Sequence, residues 1–197
     1  MDNKPSCGRK SIRLKDYDYS SQGGYFVTLC VQDRRSLFGE IGNAGMQMNE
    51  LGKCAADCWE WLGKRNSFIE LDVWTMMPNH LHGILIIDAH CRGASRCAHG
   101  EGAGGSRTAP TAIKPLGRLI GAFKTVSTKR INGIRGTPGA VLWQRNYWER
   151  VIRDIDELNR IREYIHLNPG RWLLDKENPQ REATVIADDD AFLNLMD

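Results

Sequence analysis

Over residues 25–32, Tyr25, Val27, Leu29 and Val31 recur at every second position, the alternation of a strand with one buried face. The period then lengthens. Leu51, Cys54, Ala55, Cys58 and Leu62 fall on one stripe at helical spacing, with Asn49 placed to cap the start and Gly63 to end it. That stripe makes Cys54 and Cys58 small core residues rather than metal or redox groups. Residues 69–77 and 80–87 read as two strands joined by a turn at Pro78 and Asn79. A second helical stripe, Leu116, Leu119, Ile120 and Phe123, ends near Gly133, and residues 141–152 are strand-like. Asp154 and Glu157 have the spacing of a capping box for a third helix running to about Leu167, where Asn168 before Pro169 marks its end.

This order, β-α-β-β-α-β and one more helix, predicts an α+β, ferredoxin-like fold built on a four-stranded antiparallel sheet. The first and third strands of that topology lie at the centre, with both crossover helices on one face. Past its histidines the central strand 80–87 is apolar on both sides, so the C-terminal helix is expected to cover the second face. One domain is expected over residues 1–172, interrupted at 88–113 by a Gly, Ala, Ser and Arg-rich insertion without periodicity. An acidic tail follows at 173–197.

Composition narrows the class. The 197 residues are 41% apolar and 26% charged, a globular balance that excludes collagen-like, coiled-coil and wholly disordered chains. The longest aliphatic run, Ile84 to Ile87, is far short of the ~20 residues of a membrane helix, and Met1 to Lys4 begin no apolar signal core. A cytoplasmic protein with reduced cysteines is expected, with no membrane partner. The net charge is only +3, but between Lys114 and Arg153 there are nine basic residues and one acid, Glu149. Such a stretch is either the footprint of a nucleic-acid binder or a set of solvated helix faces. The segment from Asp175 to Asp197 carries −5 and is expected to lie away from any phosphate backbone.

Two residue pairs carry candidate chemistry. His80 and His82, two apart on a strand, point to one side and can close on a single ion, although polar residues at a strand end need no ion. Tyr164 and Asn168, four apart on a helix, lie about 40° from each other on one face. Together they can present a nucleophile and an oxygen ligand to a metal held by the histidines. Read alone, a tyrosine bordering the stripe of Leu158, Ile161 and Ile165 is more often a core residue than a nucleophile, and Asn168 has the place of a helix C-cap. Tyr147 is the rival nucleophile. His90, Cys91, Cys97 and His99 in the insertion form a weaker zinc candidate, since C-x5-C departs from the usual spacing.

Three blocks, Met77-Pro78-Asn79-His80-Leu81-His82, Trp143-Gln144-Arg145-Asn146-Tyr147-Trp148 and Tyr164-Ile165-His166-Leu167-Asn168-Pro169, resemble the signatures of the REP-associated tyrosine transposases, in the single-tyrosine HUH transposase group. The likeness runs from about residue 11 to 172. It implies that His80, His82 and Asn168 are metal ligands, that the ion is Mg²⁺ or Mn²⁺, and that Tyr164 is the catalytic tyrosine. It also implies nicking and joining of single-stranded hairpin DNA of the REP type through a 5′-phosphotyrosine and a free 3′-OH, by a monomer or homodimer. DNA contacts are expected from Arg118, Lys124, Lys129, Arg130 and Arg145, with Trp143 and Trp148 stacking on bases. The competing reading is a hairpin-DNA binding protein that no longer cuts.

Overall fold

The computed structural model describes residues 17–19, 21–43, 45–88 and 113–180. The chain forms β1 (Gly23–Cys30), β2 (Gly39–Gly42), β3 (Gly45–Met48), α1 (Glu50–Arg65), β4 (Ile69–Met76), β5 (His80–Ile87), α2 (Leu116–Arg135), β6 (Trp148–Ile152) and α3 (Ile155–Leu167). β4, β5, β1 and β6 make an antiparallel four-stranded sheet in that order, with the first strand and the second hairpin strand at its centre as the pattern predicts. The fold is α+β, with helices on both faces.

Alternation decides which face each side chain meets. Tyr25, Val27 and Leu29 of β1 and Leu81, Leu85 and Ile87 of β5 pack with α1 and α2 in the main core. Gly83 lies on that side too, where an added Cβ would meet Trp59 Cζ2 of α1 at 2.7 Å; the missing side chain lets the indole lie against the strand. On the opposite face Phe26 and Ile84 pack with Ile161, Tyr164 and Ile165 of α3. The third helix is thus the cover that the two-sided apolar strand required.

Local signals explain the helix starts. Asn49 caps α1 by accepting from Gly52 N at 2.9 Å. The Asp154 side chain accepts from Glu157 N at 2.7 Å at the start of α3, while Glu157 Oε2 accepts from Arg153 N at 2.7 Å. Two ion pairs tie α3 down. Glu157 pairs with Arg150 of β6, and Arg162 reaches Asp72 of β4 at 2.8 Å.

The structure corrects two expectations. Residues 141–147 are not part of a strand: only Trp148–Ile152 joins the sheet, and Trp143 makes one isolated bridge to Val31. Lys124 braces the irregular path: its ammonium donates to the carbonyls of Gln144 at 2.8 Å and Asn146 at 2.9 Å. The β2–β3 hairpin, in turn, was absent from the pattern. Of the insertion expected at 88–113, residues 89–112, with the zinc candidates His90, Cys91, Cys97 and His99, lie outside the described residues. Cys58 is buried in the core, and burial pushes its thiol up to about 11.

Candidate functional site

β5 opens on the two histidines, both facing α3. Their rings are 4.4 Å apart, centre to centre, and both residues are buried. The Tyr164 hydroxyl stands 3.5 Å from His82 Nε2, and Thr28 Oγ1 of the neighbouring strand is 2.9 Å from His82 Nδ1. Phe26 touches the rings of His82, Tyr164 and Trp148 at 5.4–6.0 Å and keeps this end of the site apolar. One turn beyond the tyrosine, Asn168 is buried with its Oδ1 lacking a hydrogen-bond partner.

A third ligand candidate, Asp175, comes from a segment that sequence reasoning placed elsewhere. Residues 171–178 turn back over the sheet end, bringing the Asp175 carboxylate 3.4 Å from His80 Nε2. The candidate ligand atoms of His80, His82 and Asp175 all lie within 4.8 Å of one another, a group that can hold a metal ion. His80 Nε2 has no hydrogen-bond partner although it is wholly buried. A lone pair of that kind, aimed at a carboxylate, fits a bound cation. Imidazole and carboxylate donors are a mixed nitrogen and oxygen set that suits a divalent ion of intermediate softness.

Burial, with added repulsion from Lys176 and Arg34, holds the His80 pKa down to about 3. Burial lowers His82 strongly as well, His80 adding to it. Both rings are therefore neutral when folded, as a ligand requires, and each takes up a proton on unfolding below its ordinary pKa of about 6.5. The resulting stability of the metal-free protein is complete above about pH 6.5. It is lost as the pH falls from there toward 3, with a limiting slope near ~1.4 kcal/mol per pH unit for each histidine. Urea midpoints recorded between about pH 7.5 and 5 check this, and a midpoint that does not fall would mean that an imidazole is charged in the folded site.

Beside the site lies a cleft of about 300 Å³ lined by Thr28, Asn146, Tyr147, Trp148, Lys176 and Glu177, among others. Trp148 is half-buried there, with the Lys176 ammonium 5.6 Å from its ring centre. Tyr147 precedes β6 rather than lying within it. Gln144 lines both this cleft and an open groove of about 790 Å³ that runs between α2 and residues 136–145, where Lys129 and Arg145 also stand. Arg118, Lys129, Arg130 and Arg145 are exposed. Two of the expected DNA contacts do structural work instead. Trp143 is 4% exposed, packs on Phe38 and Phe123 and donates to Ser127 Oγ at 2.8 Å, so its ring has no face left for a base. Lys124 is committed to the carbonyls of Gln144 and Asn146, and burial lowers its pKa to about 8.

Known proteins are similar to this chain in sequence and in fold. A protein of uncharacterized function from Haemophilus influenzae is 36% identical over 174 residues, an alignment spanning 85% of this chain and 92% of the relative. The chain belongs to the family of that protein. No protein-family model matches it. Among solved structures, a REP-associated tyrosine transposase bound to a REP hairpin superposes with a TM-score of 0.51 at 16% identity, over 81% of this chain and 73% of the other. That likeness shows a transposase-like fold for this chain. A candidate transposase from Deinococcus radiodurans aligns with a TM-score of 0.42 at 15% identity, over 78% and 95% of the two chains. No described helix is long and apolar enough to cross a membrane.

Proposed function

We propose that this protein is a REP-associated tyrosine transposase of the HUH group, a metal-dependent enzyme that nicks and joins single-stranded hairpin DNA. The observation that carries the reading is the Tyr164 hydroxyl 3.5 Å from His82 Nε2, with His80 and Asp175 closing the same site. A core tyrosine has no need of a buried histidine at its hydroxyl that itself belongs to a group of three potential ligands. The likeness in fold to a transposase bound to a REP hairpin supports the substrate class.

In this reading the Tyr164 oxygen attacks a DNA phosphorus. The Oη–P bond forms, the P–O3′ bond breaks, the phenolic proton leaves and the departing 3′ oxygen gains one, giving a 5′-phosphotyrosine and a free 3′-OH. The phosphotyrosine conserves the bond, so that a 3′-OH can attack it in turn and join strands. Tyrosine ordinarily loses its proton near pH 10, and burial away from water would not by itself ease that loss. His80, His82, Asp175 and Asn168 would hold Mn²⁺ or Mg²⁺, whose chemistry is Lewis-acid polarisation of the phosphate. Phe26 and α3 keep water from the tyrosine side, and both ligand histidines and the tyrosine come from one chain.

The strand would follow the basic groove past Gln144 into the cleft, with Trp148 and Tyr147 as stacking surfaces and Lys129 and Arg145 of the groove neutralising phosphates, while the exposed Arg118 and Arg130 lie outside its lining. Replacing Lys129 and Arg145 with alanine should lower the slope of log affinity against log salt by about 0.7 for each single-strand phosphate that is no longer neutralised. An unchanged slope would put the DNA on another face.

Incubation of the protein with a REP-like single-stranded hairpin and Mn²⁺, followed by denaturing electrophoresis, tests the function directly. A covalent protein-DNA band is expected. Tight binding of hairpins without any such band would assign the protein to DNA binding alone.

A further inference from the structure

The residue before the first histidine is wholly buried, and its side-chain groups have settled roles. Asn79 Nδ2 lies 2.7 Å from the carbonyl oxygen of Glu177 and 3.0 Å from that of Arg34. Carbonyls only accept, so the atom facing both must be the amide NH₂, and the remaining Oδ1 is an acceptor. Oδ1 stands 2.8 Å from His80 Nδ1. An acceptor there requires a hydrogen on Nδ1, and a neutral imidazole with hydrogen on Nδ1 carries its lone pair on Nε2. Nε2 is the atom that faces Asp175 Oδ2 at 3.4 Å without a hydrogen-bond partner.

We propose that Asn79 is the positioning residue of the metal site, holding His80 as the Nδ1–H tautomer with its Nε2 lone pair on the ion. By donating to the Glu177 carbonyl it also pins the turn that carries Asp175 two residues earlier. Two ligands from distant parts of the chain are thus set by one amide. Outer-shell partners of this kind are worth roughly 10–100-fold in metal affinity. The inference rests on the reading of His80 as a ligand, and its test needs no DNA and no cleavage.

Full-length protein labelled with ¹⁵N-histidine is examined metal-free by two-bond ¹⁵N–¹H correlation, which separates the tautomers, and Mn²⁺ affinity is then measured by electron paramagnetic resonance. In wild type, His80 should show a protonated Nδ1 and a bare Nε2. Asn79→Ala removes the acceptor at Nδ1 while Asp175 still offers one at Nε2, so the hydrogen should move to Nε2 and Mn²⁺ affinity should fall roughly 10–100-fold. Asn79→Asp restores an acceptor at Nδ1 but not the donor to Glu177, so the tautomer should return while part of the affinity loss persists. A protonated Nε2 in wild type overturns the proposal without recourse to any variant. Wild-type Mn²⁺ affinity in a folded Asn79→Ala protein overturns the positioning role alone. A wild-type protein with the expected tautomer that binds no Mn²⁺ overturns the metal reading and the role together.

Discussion

Tyr164→Phe should abolish the covalent DNA adduct and strand cleavage while leaving the fold and hairpin affinity intact. The change removes one oxygen and keeps the ring that packs against Phe26 and His82, with centroid separations of 6.0 and 5.3 Å. Loss of one modest hydrogen bond should shift stability by no more than about 1 kcal/mol. Cleavage, by contrast, loses its nucleophile, and removing a covalent nucleophile elsewhere costs on the order of 10⁴-fold or more. Denaturing gels with labelled hairpin, alongside a thermal melt, separate the two effects. Adduct formation by the phenylalanine variant would point to another nucleophile. Tyr147, in the cleft beside the site, is then the next to replace.

The double substitution His80→Ala, His82→Ala should be as damaging to cleavage by a different route. It removes two of the three residues whose ligand atoms converge within 4.8 Å, and a single carboxylate with a neutral amide retains divalent ions weakly. Mn²⁺ binding by calorimetry should disappear with cleavage, whereas hairpin affinity, which depends on phosphate and base contacts, should persist. Asn168→Ala should be milder, with higher Mn²⁺ restoring part of the activity, because water can replace one neutral ligand. Mn²⁺ affinity equal to wild type in the double variant would remove the histidines from the metal site.

Much of this architecture was legible because it follows from period. Alternation put His80 and His82 on the face opposite Leu81, and the two-sided apolar character of β5 called for a covering helix, which α3 supplies. The misses share a physical cause too. β2 and β3 are four-residue strands, Gly-Glu-Ile-Gly and Gly-Met-Gln-Met, too short and glycine-rich for alternation to register. Residues 141–147 have the apolar content of a strand, but they follow an irregular path braced by the Lys124 ammonium at the Gln144 and Asn146 carbonyls, a contact 20 and more residues apart that no local pattern encodes. Asp175 was hidden because its place depends on contacts far apart in sequence, Asn79 to Glu177 and Arg34 to Glu177, which no local pattern encodes. Its charge misled as well: a net acidic segment reads as something phosphate repels, whereas this carboxylate sits where a cation would neutralise it.

The two ion pairs that bind α3 to its own sheet, Arg150 to Glu157 and Arg162 to Asp72, bear on gene dosage. In the proposed function, a tyrosine anchored to the sheet that supplies the histidines gives each polypeptide a whole site. An inactive copy made alongside an active one should not poison it, nor should two differently damaged copies rescue each other: mixtures of Tyr164→Phe with the His80→Ala, His82→Ala variant should stay inactive, whereas a site shared between two chains would regain activity.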